Sequence, residues 1–387
     1  MSWPKVKLGD VAPAIPVKNV NLDEDELVWQ LNLDQIESNT GKIVDKVKQP
    51  LSSAGSSTHF FNNEHVLYSK LRPYLNKVVV PDELGIATTE LVPMKPDQKR
   101  LNKEYLAYYL RSKPFVEWVS TQVSGAKMPR VVMSIFWQHE MPLPPLYEQE
   151  RIVSVLDKSN RLRQKREQAI KLADDFLRAT FLEMFGDPIE NPKGWNVKPL
   201  ADQIVHANNG ISRRRKEDTN EGDIVLRLQD VHYSGIAFDK ELNRIKLVDK
   251  EKQIARVEHD DLLFIRVNGN PNYVGRTAVF KSYIEPVYHN DHLIRIKLDN
   301  EYQSDFLCYL INSPFSRKLI AQQIKTSAGQ HTISQDGILK LMFYRPPVEL
   351  QKKFINIKNK IESIFYRKDK HEDLFASISN KLIHSIK

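Results

Sequence analysis

The sequence holds a single cysteine, Cys308, in 387 residues. That excludes a disulfide framework within the chain and fits a reducing cytoplasm. No apolar run reaches the length of a membrane span, and the opening MSWPKVKLGD lacks the charged-then-apolar pattern of a leader. A soluble, cytoplasmic chain with no membrane partner is expected. Catalytic signatures are equally scarce. There is no G-x-x-x-x-G-K-S/T phosphate loop. Asn270-Pro271-Asn272-Tyr273 imitates the tetrad of a base methyltransferase but lacks its second proline. Asp82 and Glu90 resemble the acidic half of a nuclease site, yet Val92 stands where a lysine is needed. His289, Asp291 and His292 are tightly spaced with no second ligand pair, so a structural or DNA-facing role is expected over a metal site. No nucleophile and base can be paired. The chain is expected to be non-catalytic, with no metal and no cofactor of its own.

What is present is a moderate excess of positive charge, +8 with a pI near 9.2, and an internal repeat. The charge favours a polyanionic partner. The repeat is plainest where PLPPLYEQERI at 142–152 returns as RPPVELQKKFI at 345–355, with Gln149 matched by Gln351, 202 positions on. Each copy continues as a heptad run. The expected seam is Ile152, Val155, Leu162, Ala169, Ala173 and Phe176 in the first copy. In the second it is Phe354, Ile357, Ile361, Ile364, Phe375, Ile378 and Leu382, and a polar interruption falls at Arg166 and at Lys368. Such a stripe must find a partner helix. A helix of about 38 residues is about 57 Å long, which suits a spacer. The alternative is that each run is a core helix of its own domain.

The opening Trp3-Pro4-Lys5-Val6-Lys7-Leu8 reappears as Trp195-Asn196-Val197-Lys198-Pro199-Leu200, so the repeat spans half the chain. Within the first copy, residues 65–81 read as strand, turn, strand; 86–94 as a strand; and a helix is expected after Asn102, whose side chain can cap it. In the second copy 224–228 reads as a strand, and 261–266 and 273–280 as a hairpin. The run 306–319 matches 105–118, including the Pro-Phe pairs at 114–115 and 314–315. The small turn around Lys127 finds its counterpart around Gln330. An α+β chain ordered unit, helix, unit, helix results.

Two globular units joined by long helices, on a basic chain, suit the reading of two separated stretches of one polymer. Lys and Arg neutralise phosphates, while Arg, Asn, Gln and aromatic side chains on loops discriminate base edges. The DNA-binding candidates in the first unit are Lys70, Arg72, Tyr74, Asn76 and Lys77 on the hairpin, with Lys127 and Arg130 on the small turn. In the second unit they are Arg213, Arg214, Arg215, the hairpin residues Arg266, Asn268, Asn270, Asn272, Tyr273 and Arg276, and the turn pair Gln330 and His331. The competing readings are a helical scaffold whose end domains bind proteins, and a cryptic methyltransferase.

The PLPPLYEQERIVSVLD block, the link FLEMFGDPIENPKGW, and LLFIRVNGNPNYVGRTAVF followed by YHNDHLIRIKL resemble the specificity subunits of type I restriction-modification systems. The resemblance covers essentially the whole chain; Pro144, Pro145, Glu148, Gln149 and Ile152 are its most specific part. It departs in the second copy, where Leu350 replaces the glutamate before Gln351. It implies a pseudo-twofold chain of two target-recognition domains, 1–141 and 188–344, separated by a central conserved region, 142–187, and a C-terminal one, 345–387, whose helices pack as an antiparallel coiled coil. It implies double-stranded DNA as ligand and two modification (methyltransferase) subunits as partners. Restriction (translocase/nuclease) subunits are implied too, with S-adenosylmethionine, ATP and Mg2+ on the partners and none here.

Overall fold

The computed structural model describes residues 3–212, 221–233, 235–239 and 241–365. Arg213, Arg214 and Arg215 lie outside the described residues, as do Lys368, Phe375, Ile378 and Leu382. The chain divides into two compact units between Gln168 and Ala169, within one 40-residue helix, Leu146–Phe185. At 1.5 Å per residue that helix is about 60 Å long.

Among the described residues the first unit carries two sheets of three or more strands. In one, the central strand Leu27–Leu31 pairs antiparallel with Lys48–Pro50 and parallel with Gly85–Thr88, which also pairs with Thr58–Phe61. In the other, Val66–Ser69 lies between Val78–Val79 and Leu91–Met94. The stretch 86–94, read as one strand, is thus two strands in different sheets. One core, around Trp29, Phe61 and Leu67, lies between the two sheets, and the other face of the second sheet covers a core around Tyr68, Leu106 and Phe115. The second core also takes Ile152 and Leu156, so it seats the start of the long helix.

The second unit repeats the plan. Asp223–Leu226 pairs antiparallel with Arg244–Ile245 and parallel with Val287–His289. Leu262–Ile265 lies between Thr277–Val279 and Leu293–Leu298. The proline-broken helix pair Lys103–Arg111 and Lys113–Ser120 recurs as Ser304–Asn312 and Pro314–Gln322. Each unit is closed by an antiparallel pair made of its first strand and the strand before the proline entry. Lys5–Lys7 pairs with Glu140–Pro142, and Val197–Pro199 with Met342–Tyr344. The end of the long helix, Phe181 and Phe185, shares a core with Phe354 of the helix Val348–Phe365.

The matched glutamines account for the helix entries. Gln149 is fully buried; its Nε2 donates to the Pro144 carbonyl (2.7 Å) and the Arg100 carbonyl (2.8 Å), and its Oε1 accepts from the Asn102 N–H (2.8 Å). Gln351, equally buried, donates to Pro346 (2.7 Å) and Glu301 (3.3 Å) and accepts from the Gln303 N–H (2.9 Å). Asn102 and Gln303 are the residues just before the first helix of each proline-broken pair. One side chain therefore ties the proline entry, the long helix and the unit together, twice.

The inward stripe of the long helix runs through Ile152, Leu156, Ala173, Leu177 and Phe181, all buried, with Ser159, Arg163, Arg166 and Ile170 half-buried between them. Ile152 and Ala173 of the expected seam lie on it, and Ala169 is half-buried beside it. Val155, Leu162 and Phe176 are instead exposed, the last two at 70% and 57%. In the second copy Phe354 is buried, Ile357 and Ile361 are half-buried, and Ile364 is exposed. In the first copy the buried residues are Leu156 and Leu177, one later than Val155 and Phe176. The cause is visible in the sequence: Val155-Leu156 and Phe176-Leu177 offer apolar residues at both three and four positions, so spacing alone does not choose.

Candidate nucleic-acid interface

In the first unit the loop between Val66–Ser69 and Val78–Val79 is shaped by one 3-10 turn, Pro73–Leu75, flanked by two left-handed residues, Arg72 (φ 49°) and Asn76 (φ 51°). Pro73 supplies a fixed φ at the turn's start, and asparagine tolerates the left-handed region better than most residues. Asn76 is buried, and its amide donates to the Arg111 carbonyl (3.1 Å) and to Asn39 Oδ1 (3.3 Å). Lys77 Nζ donates to the Leu33 carbonyl (2.6 Å). The structure therefore places these two of the expected DNA contacts as supports within the unit. Arg72 and Tyr74 are exposed and Lys70 half-buried.

The small turn is the tip of a hairpin, Val123–Ser124 with Arg130–Val131, and it is stitched to this loop. The Arg72 N–H donates to the Pro129 carbonyl (2.8 Å), and the Val131 N–H to the Lys70 carbonyl (2.9 Å). Lys127 is exposed at the tip. Arg130 Nε lies 3.0 Å from Glu90 Oε1, an ion pair that accounts for Glu90 without a nuclease role. Asp82 is likewise paired, with Lys46 at 2.7 Å.

The same construction recurs in the second unit. The loop 266–276 joins Leu262–Ile265 to Thr277–Val279, and its Val267–Asn268 pairs with the hairpin strand Gln330–Ile333, bringing Asn268 opposite His331. The Ile333 N–H donates to the Arg266 carbonyl (2.9 Å), as Val131 does to Lys70. Asn268 Oδ1 accepts from the Asn270 N–H (2.9 Å) and Asn270 Oδ1 from the Asn272 N–H (3.0 Å), so two of the three asparagines spend their carbonyls shaping the loop. Arg266 donates to the Asp291 carbonyl (3.0 Å). His331 Nδ1 and Thr326 Oγ1 are 2.8 Å apart, and Gln330 is exposed. Asn270, Asn272 and Tyr273 are exposed, and Arg276 is half-buried.

Two residues absent from the sequence reading join this set. Tyr233, at the tip of the hairpin Val231–His232 with Gly235–Ile236, packs on Arg276, whose guanidinium carbon is 3.8 Å from its ring centre and 4.2 Å from that of Tyr273. Arg317 donates to the Pro271 (3.1 Å) and Val274 (2.9 Å) carbonyls; burial lowers its pKa from the ordinary value, and the Arg276 charge acts in the same direction. Neither has a signal in a single sequence, because each acts from a distant element.

Among the described residues no group of three or more His, Cys, Asp or Glu is placed to hold a metal ion. His289 is fully buried in its strand, and burial, with the nearby Arg295 charge, lowers its pKa to about 4. Burial pushes the Cys308 thiol up to about 12, which makes it unreactive. No described helix is long and apolar enough to cross a membrane.

The chain is internally duplicated and builds the same loop-and-hairpin frame in each unit, with different side chains on each copy. A family profile described as "Type I restriction modification DNA specificity domain" matches residues 2–172. The StySPI specificity subunit of Salmonella potsdam is 30% identical over 280 residues, 69% of this chain and 59% of that protein. The EcoKI specificity subunit of Escherichia coli K12 is 23% identical over 282 residues, 69% of this chain and 60% of that protein. Among solved structures, the S subunit of a type I restriction-modification system from M. genitalium aligns over 100% of this chain and 97% of its own, with a TM-score of 0.58 at 16% identity, a likeness of fold. In sequence and in fold the chain is similar to the specificity subunits of type I restriction-modification systems. It spans about 60% of the length of these two curated relatives.

Proposed function

We propose that this chain is the non-catalytic DNA sequence-recognition subunit of a type I restriction-modification complex. Residues 1–141 and 188–344 are its two target-recognition domains, each reading one half of a bipartite, asymmetric target in double-stranded DNA. Residues 142–187 and 345–387 are the helical regions that set the spacing and dock two modification subunits. Restriction subunits complete the complex. S-adenosylmethionine, ATP and Mg2+ belong to the partners, and the site of action is the cytoplasm.

The observation that carries this reading is the shared frame with unlike contents. Both units stitch a small hairpin to a strand-connecting loop through the same backbone bond, Val131 to Lys70 and Ile333 to Arg266. The first presents Arg72, Tyr74 and Lys127, the second Asn272, Tyr273 and Gln330. One docking geometry with two chemistries reads two different half-sites. The exposed Val155, Leu162 and Phe176 on the long helix give a modification subunit an apolar face to cover.

The test is a map of modified adenines in cells that carry this chain with its modification subunits. The expected motif is split, its two specified halves unlike, and separated by unspecified bases. A continuous or palindromic motif contradicts the proposal.

A further inference from the structure

We propose that Arg276 reads a guanine in the half-site met by the second unit, with Tyr233, Tyr273 and Arg317 as positioning residues. The inference rests on the reading of that unit as a DNA-recognition domain, and names the base chemistry its loop selects.

Other arginines of the second unit spend donors internally. Arg266 donates to Asp291, Arg317 to Pro271 and Val274, and Arg295 is held by Asp261. Arg276 has no ion pair or side-chain hydrogen bond among the described residues, and its Nε is buried without an acceptor. Its guanidinium is nevertheless fixed, because two tyrosine rings lie 3.8 and 4.2 Å from its central carbon. Rings on the faces leave only the edge of the fork for hydrogen bonding.

The backbone beneath it is fixed too. Gly275 has φ +76°, and a Cβ there would lie 2.6 Å from Ile320 Cγ2, so the loop meets the helix Pro314–Gln322 at a position open only to glycine. Arg317, on that helix, grips the turn that carries Tyr273. The Arg276 charge is felt at Arg317, and two such cations make a local field that favours an electronegative acceptor.

A guanine presents O6 and N7 in one plane in the major groove, and an arginine fork held in a set plane matches that edge with two bonds. A phosphate accepts the same fork but places no demand on its plane. Clamping the guanidinium before DNA arrives lowers the cost of a contact that needs one orientation. The first unit has no counterpart, since Lys77 ends its loop and bonds to Leu33.

The test uses the full chain assembled with its modification subunits, methylating duplexes of the mapped target. Each guanine of the second unit's half-site is replaced in turn by 7-deazaguanine, which lacks the N7 acceptor. The wild type is expected to lose roughly 5- to 150-fold in methylation rate at one guanine. Arg276→Ala and Arg276→Lys should abolish that sensitivity at the same position and relax base choice there. Tyr233→Ala should weaken the discrimination without changing binding to unrelated DNA, a readout that a merely structural role would not move. Where Arg276→Ala fails to fold, Arg276→Lys decides. A half-site without a sensitive guanine, or an even loss on all sequences with a salt slope reduced by about one, overturns the inference and leaves the unit a DNA reader. Loss of recognition in neither half-site on substituting the whole loop instead removes the reading beneath it.

Discussion

Replacing Gln149 by methionine keeps the volume of the side chain and removes all three of its hydrogen bonds. The Pro144 carbonyl loses its donor in a buried setting, at about 1–3 kcal/mol, and the two part-buried bonds to Arg100 and Asn102 contribute about 0.5–1.5 kcal/mol each. The expected loss for the first unit is roughly 2–6 kcal/mol. Gln351→Met should cost the second unit less, since its bond to Glu301 is longer, 3.3 Å against 2.8 Å. Gln149→Glu should be worse than methionine at neutral pH, because a carboxylate would face two carbonyl oxygens. Urea unfolding of the full chain, followed by hydrogen exchange and mass spectrometry, separates the units. Peptides from 103–111 report the first and peptides from 304–312 the second. A Gln149→Met cost below about 0.5 kcal/mol, or a larger effect at Gln351, would refute the claim that this side chain anchors the helix entry.

His289 titrates near pH 4 in the fold and near 6.5 when unfolded, so between those values the unfolded chain binds the extra proton. Stability should therefore fall as pH drops from about 6.5 to 4, by up to about 3 kcal/mol, and His289→Leu should flatten that part of the profile. An unchanged pH dependence would place the proton elsewhere. Deleting seven residues from the exposed middle of the helix Leu146–Phe185 removes two turns, about 10.5 Å. The gap in the methylated motif should shift by about 3 bp at about 3.4 Å per base pair, or methylation should be lost, and an unaltered gap would count against the helix as spacer.

The repeat was legible because it is carried by residues with few substitutes, the prolines and the glutamine of each helix entry. The hairpin at 262–279 and the helix after Asn102, whose Oδ1 accepts the Tyr105 N–H at 2.9 Å, were legible for similar reasons. The parallel pairing of Leu27–Leu31 with Gly85–Thr88 was not, since partners 56 residues apart leave no local pattern. The burial of Leu156 and Leu177 beside the exposed Val155 and Phe176 was not legible, because adjacent apolar residues satisfy either heptad count. In the candidate loops, sequence could not tell Arg72, which is exposed, from Asn76, which is interior. Both are polar residues of one short turn, and only the burial of the loop's far side separates them. Tyr233 and Arg317 reach Arg276 and its loop from other elements, and only coordinates bring them there.

The central claim, that each unit reads its own half of one target, is tested most directly by changing one unit alone. Arg72→Ala with Lys127→Ala in the first unit, assembled with the modification subunits, should alter the specified bases of one half of the motif and leave the other half and the gap unchanged. Altered bases in both halves, or an intact motif with undiminished methylation, would contradict the account.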